Sequence, residues 1–220
     1  MKKLILLLAI AGITTTSCLA QSPDKSQGYI SYDVTVNIHA SMKPDQLKFK
    51  DLVPEKVTNK ETLYFNGAKA KLARKDQDET TTDEGAKIKI VTNEGQVAVY
   101  TDAATGQSWS LYEEDGKQSL AELYKEENPT TKAGGKTKQI LGFSCYEVNT
   151  KSKEGDNMTL WVTDAFPINA GPLGLWPEKG VVLGVDSKKV SIQATAINYA
   201  PVSVADVSIP PGMPVKFAKK

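Results

Sequence analysis

A mainly β fold, a single curved antiparallel sheet with at most one or two short helices, is predicted by three observations. Apolar and polar residues alternate with a period of two from Ile30 to Ala40, the pattern of a strand with one buried face. Candidate strands then recur about once per ten residues between turn formers, the rhythm of an antiparallel meander rather than of βαβ units. Roughly ten strands in one sheet cannot stay flat, so the sheet must curl, close or pack on itself.

In the first strand Ile30, Tyr32, Val34, Val36, Ile38 and Ala40 form the buried face, and His39, the only histidine, falls on the polar one. Between residues 42 and 54, Pro44-Asp45-Gln46 opens a short helix that packs Leu47 and Leu52 before Pro54 stops it. Residues 60–65 and 68–74 flank Asn66-Gly67, a pair favoured in type I′ hairpins because both central residues need positive φ. The acidic stretch 76–85 reads as a hairpin tip or loop. Strands are expected at 87–92, 96–101 and 107–113. Within 117–127 the spacing of Leu120, Leu123 and Tyr124 suits a helix and a strand equally. Residues 128–135 read as a loop of turn formers, a hinge between two halves of one sheet. Strands at 137–150, 157–163, 180–186, 189–199 and a tail to Ile209 follow, and Pro210-Pro211-Gly212 closes the domain.

Residues 1–20 have the order of a secretory signal peptide: Lys2 and Lys3, an apolar run at 4–13, then small residues to Ala20. That run is well short of the roughly 20 residues of a membrane-spanning helix, and no longer one follows. Residues 21–220 are therefore expected as one β-rich domain in the periplasm or cell envelope, without a transmembrane segment. Two processing routes stay open. Cleavage before Cys18 would leave it to carry a lipid, although Thr15-Thr16-Ser17 lacks the usual leucine. Cleavage after Ala20, the route favoured here, uses Cys18 as the small residue two places earlier.

Without Lys2 and Lys3 the chain has 25 basic and 26 acidic residues, a formal charge of −1, which argues against electrostatic capture of nucleic acid or of an anionic membrane. With one histidine and Cys145 as the one ordinary thiol, zinc sites of the Cys/His type and a disulfide framework are excluded. His39 has no partnered base or acid in its pattern, and no Gly-x-Ser-x-Gly turn presents a serine. Gly134-Gly135-Lys136-Thr137 imitates the end of a phosphate-binding loop, but Thr130 stands where the earlier glycine belongs. Asp76, Asp78, Asp83 and Glu84 could offer oxygen ligands to Ca²⁺, yet their spacing is not that of an EF-hand and a solvated loop is the plainer reading. Cys145 is expected to pack as a small apolar residue. No enzyme activity and no cofactor are expected.

Lys138-Gln139-Ile140-Leu141-Gly142-Phe143-Ser144-Cys145, Leu160-Trp161-Val162-Thr163-Asp164, Phe166-Pro167-Ile168, Gly171-Pro172 and Gly180-Val181-Val182-Leu183 resemble, in order and spacing, the GLPGLI family of bacterial secreted proteins. The chain departs from it at the name-giving turn, where Trp176-Pro177-Glu178-Lys179 separates Gly174-Leu175 from Gly180, two residues are extra, and Leu-Ile has become Val181-Val182. A broader related group of uncharacterised envelope proteins shares the Ile-Gly-aromatic-x-Cys and tryptophan-strand features without that turn. Gly28-Tyr29-Ile30-Ser31-Tyr32 and Phe65-Asn66-Gly67 extend the resemblance over the mature chain. It implies a LolA-like curved half-barrel and a Bacteroidetes-type source, and it brings no agreed activity with it.

On such a fold the expected function is a binding or carrier module, its concave apolar face receiving a lipid, a hydrophobic small molecule or a segment of an envelope protein. The alternative is a structural or interaction protein of the envelope whose sheet is filled and takes no ligand. Trp176, between Leu175 and Pro177 in a loop, is the first candidate for a ligand cleft together with Leu175. Trp161 suits either the core or the cleft lining.

Overall fold

The computed structural model describes residues 24–74, 80–81, 87–88, 95–123, 132–152 and 154–215. In chain order its strands are β1 (Gln27–Asn37), β2 (Lys56–Asn66), β3 (Lys69–Arg74), β4 (Thr80–Thr81), β5 (Lys87–Ile88), β6 (Gln96–Asp102), β7 (Gln107–Glu114), β8 (Lys117–Leu123), β9 (Lys132–Ile140), β10 (Phe143–Lys151), β11 (Asn157–Thr163), β12 (Val181–Ser187) and β13 (Val190–Asn198). Eleven of them form one open, curved antiparallel sheet in the order β8-β7-β6-β3-β2-β1-β13-β12-β11-β10-β9, and β4 pairs with β5 separately. Among the described residues helix is confined to α1 (Ile38–Ser41) and the 3-10 turns Leu47–Leu52 and Pro172–Gly174.

The strand order itself enforces the curvature. The two edge strands, β8 and β9, are consecutive in the chain, with Leu123 and Lys132 nine residues apart. Nine peptide units reach at most ~32 Å when fully extended. A flat sheet of this width would hold its edges ~48 Å apart. The sheet must bend until its edges come within reach of each other. Register shifts at Ser31/Tyr32, Tyr146/Val148, Trp161/Val162 and Gln96/Ala98 supply local bends, since a bulge kinks its strand and increases its twist.

The alternation along β1 buries Ile30, Tyr32 and Val34, as the period of two predicts. The strand ends at Asn37, however, three residues earlier than the pattern suggests. The Asn37 side chain accepts the Ala40 N–H at 2.9 Å and caps α1, so His39 lies in a helix and not on a strand. Residues 47–52 do turn helically, but Leu47 and Leu52 are exposed rather than packed. The β2–β3 hairpin forms with its loop one residue later than expected: Asn66 pairs with Lys69, and the loop is Gly67-Ala68 with Gly67 at φ 58°. The ambiguous window at 117–127 is a strand as far as Leu123.

The largest correction concerns 137–150, which is a hairpin and not one strand. Leu141 (φ 50°) and Gly142 (φ 84°) both adopt left-handed conformations between β9 and β10, closing the Ile140–Phe143 pair. Leucine rarely occupies such a position, so the sequence hides the turn. The hinge expected at 128–135 is already strand from Lys132 onward. The tail to Ile209 is not a strand but irregular chain from Tyr199 with a turn at 204–207. Beyond Pro210-Pro211-Gly212 the chain continues along β8, where Leu120 donates its N–H to the Pro214 carbonyl at 2.9 Å. The expectations for 1–20, for Asp76, Asp78, Asp83 and Glu84, and for most of 87–92 fall outside the described residues.

The main core lies on the concave face, where Ile30, Tyr32, Leu63, Phe65, Leu72 and Val99 meet Ile140, Cys145, Val162 and Ile192. A smaller cluster of Ala98, Tyr100, Leu111 and Leu120 packs with Met213. Because these residues alternate with Val99 and Ser110 along β6 and β7, they belong to the opposite face, which the C-terminal segment covers.

Two substitutions test this architecture. Gly180 sits at φ 81° where an added Cβ would collide with the Thr163 carbonyl and the Asp164 carboxylate. Gly180→Ala is expected to destabilise by at least about 2 kcal/mol, read as a lower urea midpoint with unchanged m-value. Leu141→Asn, at the exposed left-handed turn, should raise stability by up to about 1 kcal/mol in the same assay.

Candidate functional site

Residues 164–180 leave β11, cross the concave face and return into β12. Along its first half burial alternates: Phe166, Ile168 and Ala170 are buried, while Pro167 is exposed and Asn169 half-buried. The Phe166 ring meets Phe65 of β2 edge-on at 5.6 Å and Phe143 of β10 at 5.1 Å, bridging both wings of the sheet. Ala170 is held to β12 by two backbone hydrogen bonds: Val182 N–H donates to it at 3.0 Å and it donates to the Gly180 carbonyl at 3.2 Å. The Pro172–Gly174 turn then reaches the other wing, where a Cβ on Gly174 would already touch Val99 at 3.4 Å.

The polar centre of this face is Glu61. It lies on β2, opposite Tyr32 of β1 and Arg74 of β3. One carboxylate oxygen stands 3.2 Å from Arg74 Nε, and the other accepts the Leu173 N–H at 2.7 Å. Both side chains are buried, at 5% and 9% exposure. Burial raises the Glu61 pKa above its ordinary 4.5, partly offset by the Leu173 N–H and the Arg74 charge. Burial lowers that of Arg74, with Glu61 and Tyr112 opposing. Tyr32 donates its hydroxyl to the Val182 carbonyl at 3.0 Å, and burial, then Glu61 and Cys145, hold its phenol far above the usual range.

Leu173 itself has left-handed backbone (φ 56°, ψ 15°), which costs a non-glycine residue ~1–2 kcal/mol. Its N–H is the one that Glu61 captures. The carboxylate therefore holds the crossing in a conformation that the chain would not adopt unaided. With both oxygens engaged, Glu61 is a latch rather than a free acid or base. Among the described residues no group of three or more His, Cys, Asp and Glu side chains is placed to hold a metal ion.

The two ends of the crossing are pinned as well. Tyr146 and Lys179 both donate to the Asp164 carboxylate, at 3.0 and 2.7 Å, and Asn169 accepts the Gly180 N–H at 2.9 Å. Burial and the Asp164 hydrogen bond push the Tyr146 phenol up to about 12. The same contacts keep the Asp164 carboxyl below its usual value, chiefly through Lys179.

Of the residues singled out in the sequence, Trp161 is 9% exposed, donates its indole N–H to Asp186 at 2.7 Å and lies under Lys138, whose ammonium is 5.3 Å from the ring. Leu175 packs against the main core, and Trp176 beside it is half-buried. Cys145 is fully buried, and burial raises its thiol pKa. His39 contacts the Val53 carbonyl at 3.0 Å. Glu61 and Arg74 escaped the sequence reading, although a signal was present. Each occupies the apolar phase of its strand, Glu61 in line with Leu63 and Phe65, Arg74 with Ala70 and Leu72.

Glu61→Ala would remove the carboxylate of the buried pair and the acceptor of the Leu173 N–H, and is expected to cost about 2–4 kcal/mol, measured by urea unfolding. Glu61 also carries a pH signature. Its folded pKa is raised, so its contribution is complete below the unfolded value near 4.5 and is lost as pH rises through the folded value. The stability of the wild type relative to Glu61→Gln should therefore fall as urea midpoints are followed from acid toward neutral pH.

No curated protein matches the chain. Among solved structures it is similar to PNGF-II in its P21 crystal form, with 14% identity and a TM-score of 0.60 over 88% of this chain and 32% of that one. The C2 form of PNGF-II gives 14% identity and a TM-score of 0.61 over 87% and 31%. The likeness is one of fold, and the chain spans about a third of the length of that protein. An uncharacterized conserved protein from Thermus thermophilus aligns over 86% of this chain and 90% of its own at 11% identity, with a TM-score of 0.38 that supports no fold argument. Residues 46–167, more than half of the chain, match the family described as "Domain of unknown function (DUF4412)", and the protein belongs to that family.

Proposed function

We propose that the protein is an exported interaction module of the cell envelope whose concave face is closed by its own chain and whose partner binds outside it. One observation carries this reading: the crossing at 164–180 occupies the face that a carrier would offer to a ligand, with Phe166, Ile168 and Ala170 buried there and Leu173 latched to Glu61. Two surface cavities among the described residues lie elsewhere. One of about 360 Å³ is lined by Ile38, Ser41, Met42, Gln46 and Phe49, and another of about 190 Å³ by Thr35, Asn37, Lys56 and the β12–β13 hairpin. Both sit at the end of the sheet where β1 runs into α1. Export is supported by the order of charges, apolar residues and small residues in 1–20, and an envelope role by the resemblance of 138–183 to GLPGLI proteins.

A carrier reading remains as the second. The left-handed Leu173 favours it, because a strained segment is a natural lid and its opening would expose Leu175 and Trp176. Tryptophan emission titrated with a graded series of fatty acids separates the two. The closed-face reading expects no saturable change. A saturable change that Trp176→Phe abolishes would establish the carrier instead.

A further inference from the structure

Ten consecutive residues from Lys43 to Leu52 are all exposed, so this segment stands out from the end of the sheet as a tip. Three of its side chains are large and apolar: Leu47, Phe49 and Leu52 are 51%, 49% and 54% exposed. Single exposed apolar residues are ordinary, but three within six positions form a patch. Lysines interrupt it at 48 and 50, and the Lys48 ammonium lies 4.9 Å from the centre of the Phe49 ring. A long lysine stem can follow an apolar ring downward while its charge stays at a polar boundary.

The surroundings carry the same sign. Lys43, Lys56, Lys151, Lys188 and Lys189 stand at this end of the sheet with Lys48 and Lys50, and Asp45, Asp51, Glu55, Glu154 and Asp156 only partly offset them. Lys189 and Asp156 pair with each other, as do Lys56 and Glu55. The remaining balance at this end is positive, a local excess on a chain whose net charge without Lys2 and Lys3 is −1 and gives no attraction of its own to an anionic surface. The patch is small, roughly 300 Å² of apolar surface, against the ~800 Å² per partner of a stable protein interface. Insertion among lipid headgroups needs no such area and no shape complementarity, only apolar side chains flanked by cations.

We infer that the 43–52 tip docks the domain on an anionic lipid surface, with Leu47, Phe49 and Leu52 entering the headgroup layer and Lys48 and Lys50 contacting phosphates. This deepens the proposed function by naming its partner, and it rests on the reading that the binding surface lies outside the concave face. The two can fail separately, because a fatty-acid response reports on Trp176 and the following experiment reports on the tip.

The full chain is prepared as Phe49→Trp and, as a control at the opposite end of the sheet, as Thr105→Trp in the exposed β6–β7 turn. Each is mixed with vesicles of brominated phosphatidylcholine, with and without phosphatidylglycerol. Any attachment through the N-terminal segment is common to both variants and does not place the tip in the bilayer. The expected result is quenching and a blue shift of the Phe49→Trp emission on the anionic vesicles only, with Thr105→Trp unchanged. Adding Lys48→Gln and Lys50→Gln should weaken the Phe49→Trp signal on the order of tenfold in apparent affinity and reduce its salt dependence. Equal quenching of both probes, equal quenching on neutral vesicles, or none on either overturns the proposal. So does a Phe49→Trp blue shift that depends on protein concentration without vesicles, which assigns the tip to a second copy.

Discussion

A sheet whose two outer strands follow one another in the chain has no choice but to bend. Here β8 and β9 stand at opposite edges, and the short link between them sets an upper limit on how far apart those edges can be. Everything else answers to that limit. Bending creates a concave face, a concave face needs filling, and the chain fills it with the crossing from β11 to β12. The bulges place the curvature, and the bulge between β11 and β12 falls beside the Val182 carbonyl that Tyr32 caps. The edges themselves are guarded. β8 is covered at Leu120 by the Pro214 carbonyl, while β9 carries Lys132, Lys136 and Lys138, and the Glu147 side chain accepts the Lys136 N–H at 3.3 Å. Lysines and irregular backbone on an edge are the usual means of discouraging a foreign strand.

Placing a carboxylate and a guanidinium inside such a core is costly in desolvation, and an apolar pair of similar volume would often serve stability as well. What the Glu61–Arg74 pair adds is position. A hydrophobic side chain at 61 would tolerate the crossing at several registers, whereas a carboxylate that accepts one particular N–H fixes the turn at Leu173. The same pair lies between the apolar half of the concave face and the wing of β6 and β7, where Thr101, Ser108 and Ser110 are buried. The latch thus marks the boundary between the two halves.

Much of this fold was legible from residues alone. Alternation identified β1, the Asn66-Gly67 pair identified the strands around the β2–β3 turn, and strand spacing between turn formers identified β6, β7, β11 and the antiparallel curved sheet. Legibility failed where backbone conformation ran against residue type. Leu141 turns left-handed where glycine or asparagine is expected, so a hairpin read as one strand. Asn37 stops β1 by capping a helix, although Ile38 and Ala40 continue the apolar phase. Leu47 and Leu52 looked like packing residues because amphipathic spacing says nothing about whether a surface exists to pack on. At the site, Trp161, Leu175 and Trp176 were visible as bulky residues in a strand and in the loop that follows it. Glu61 and Arg74 were not, because a charge on the buried phase is recognised only once the phase of β2 and β3 is known.

The pairing of β1 with β13 has a consequence for how the molecule comes into being. Tyr29 faces Asn198 and Val36 faces Val190, so the first strand described and the last meet in the middle of the sheet. Each wing is a run of neighbouring hairpins that can zip locally, but the seam between them joins residues far apart in sequence, the kind of contact that forms slowly. The apolar faces of both wings stay uncovered until that seam closes. A chain of this topology spends its early life vulnerable to association with its own copies, and since its net charge is near zero it is the lysine-bearing edge that opposes such association during that interval.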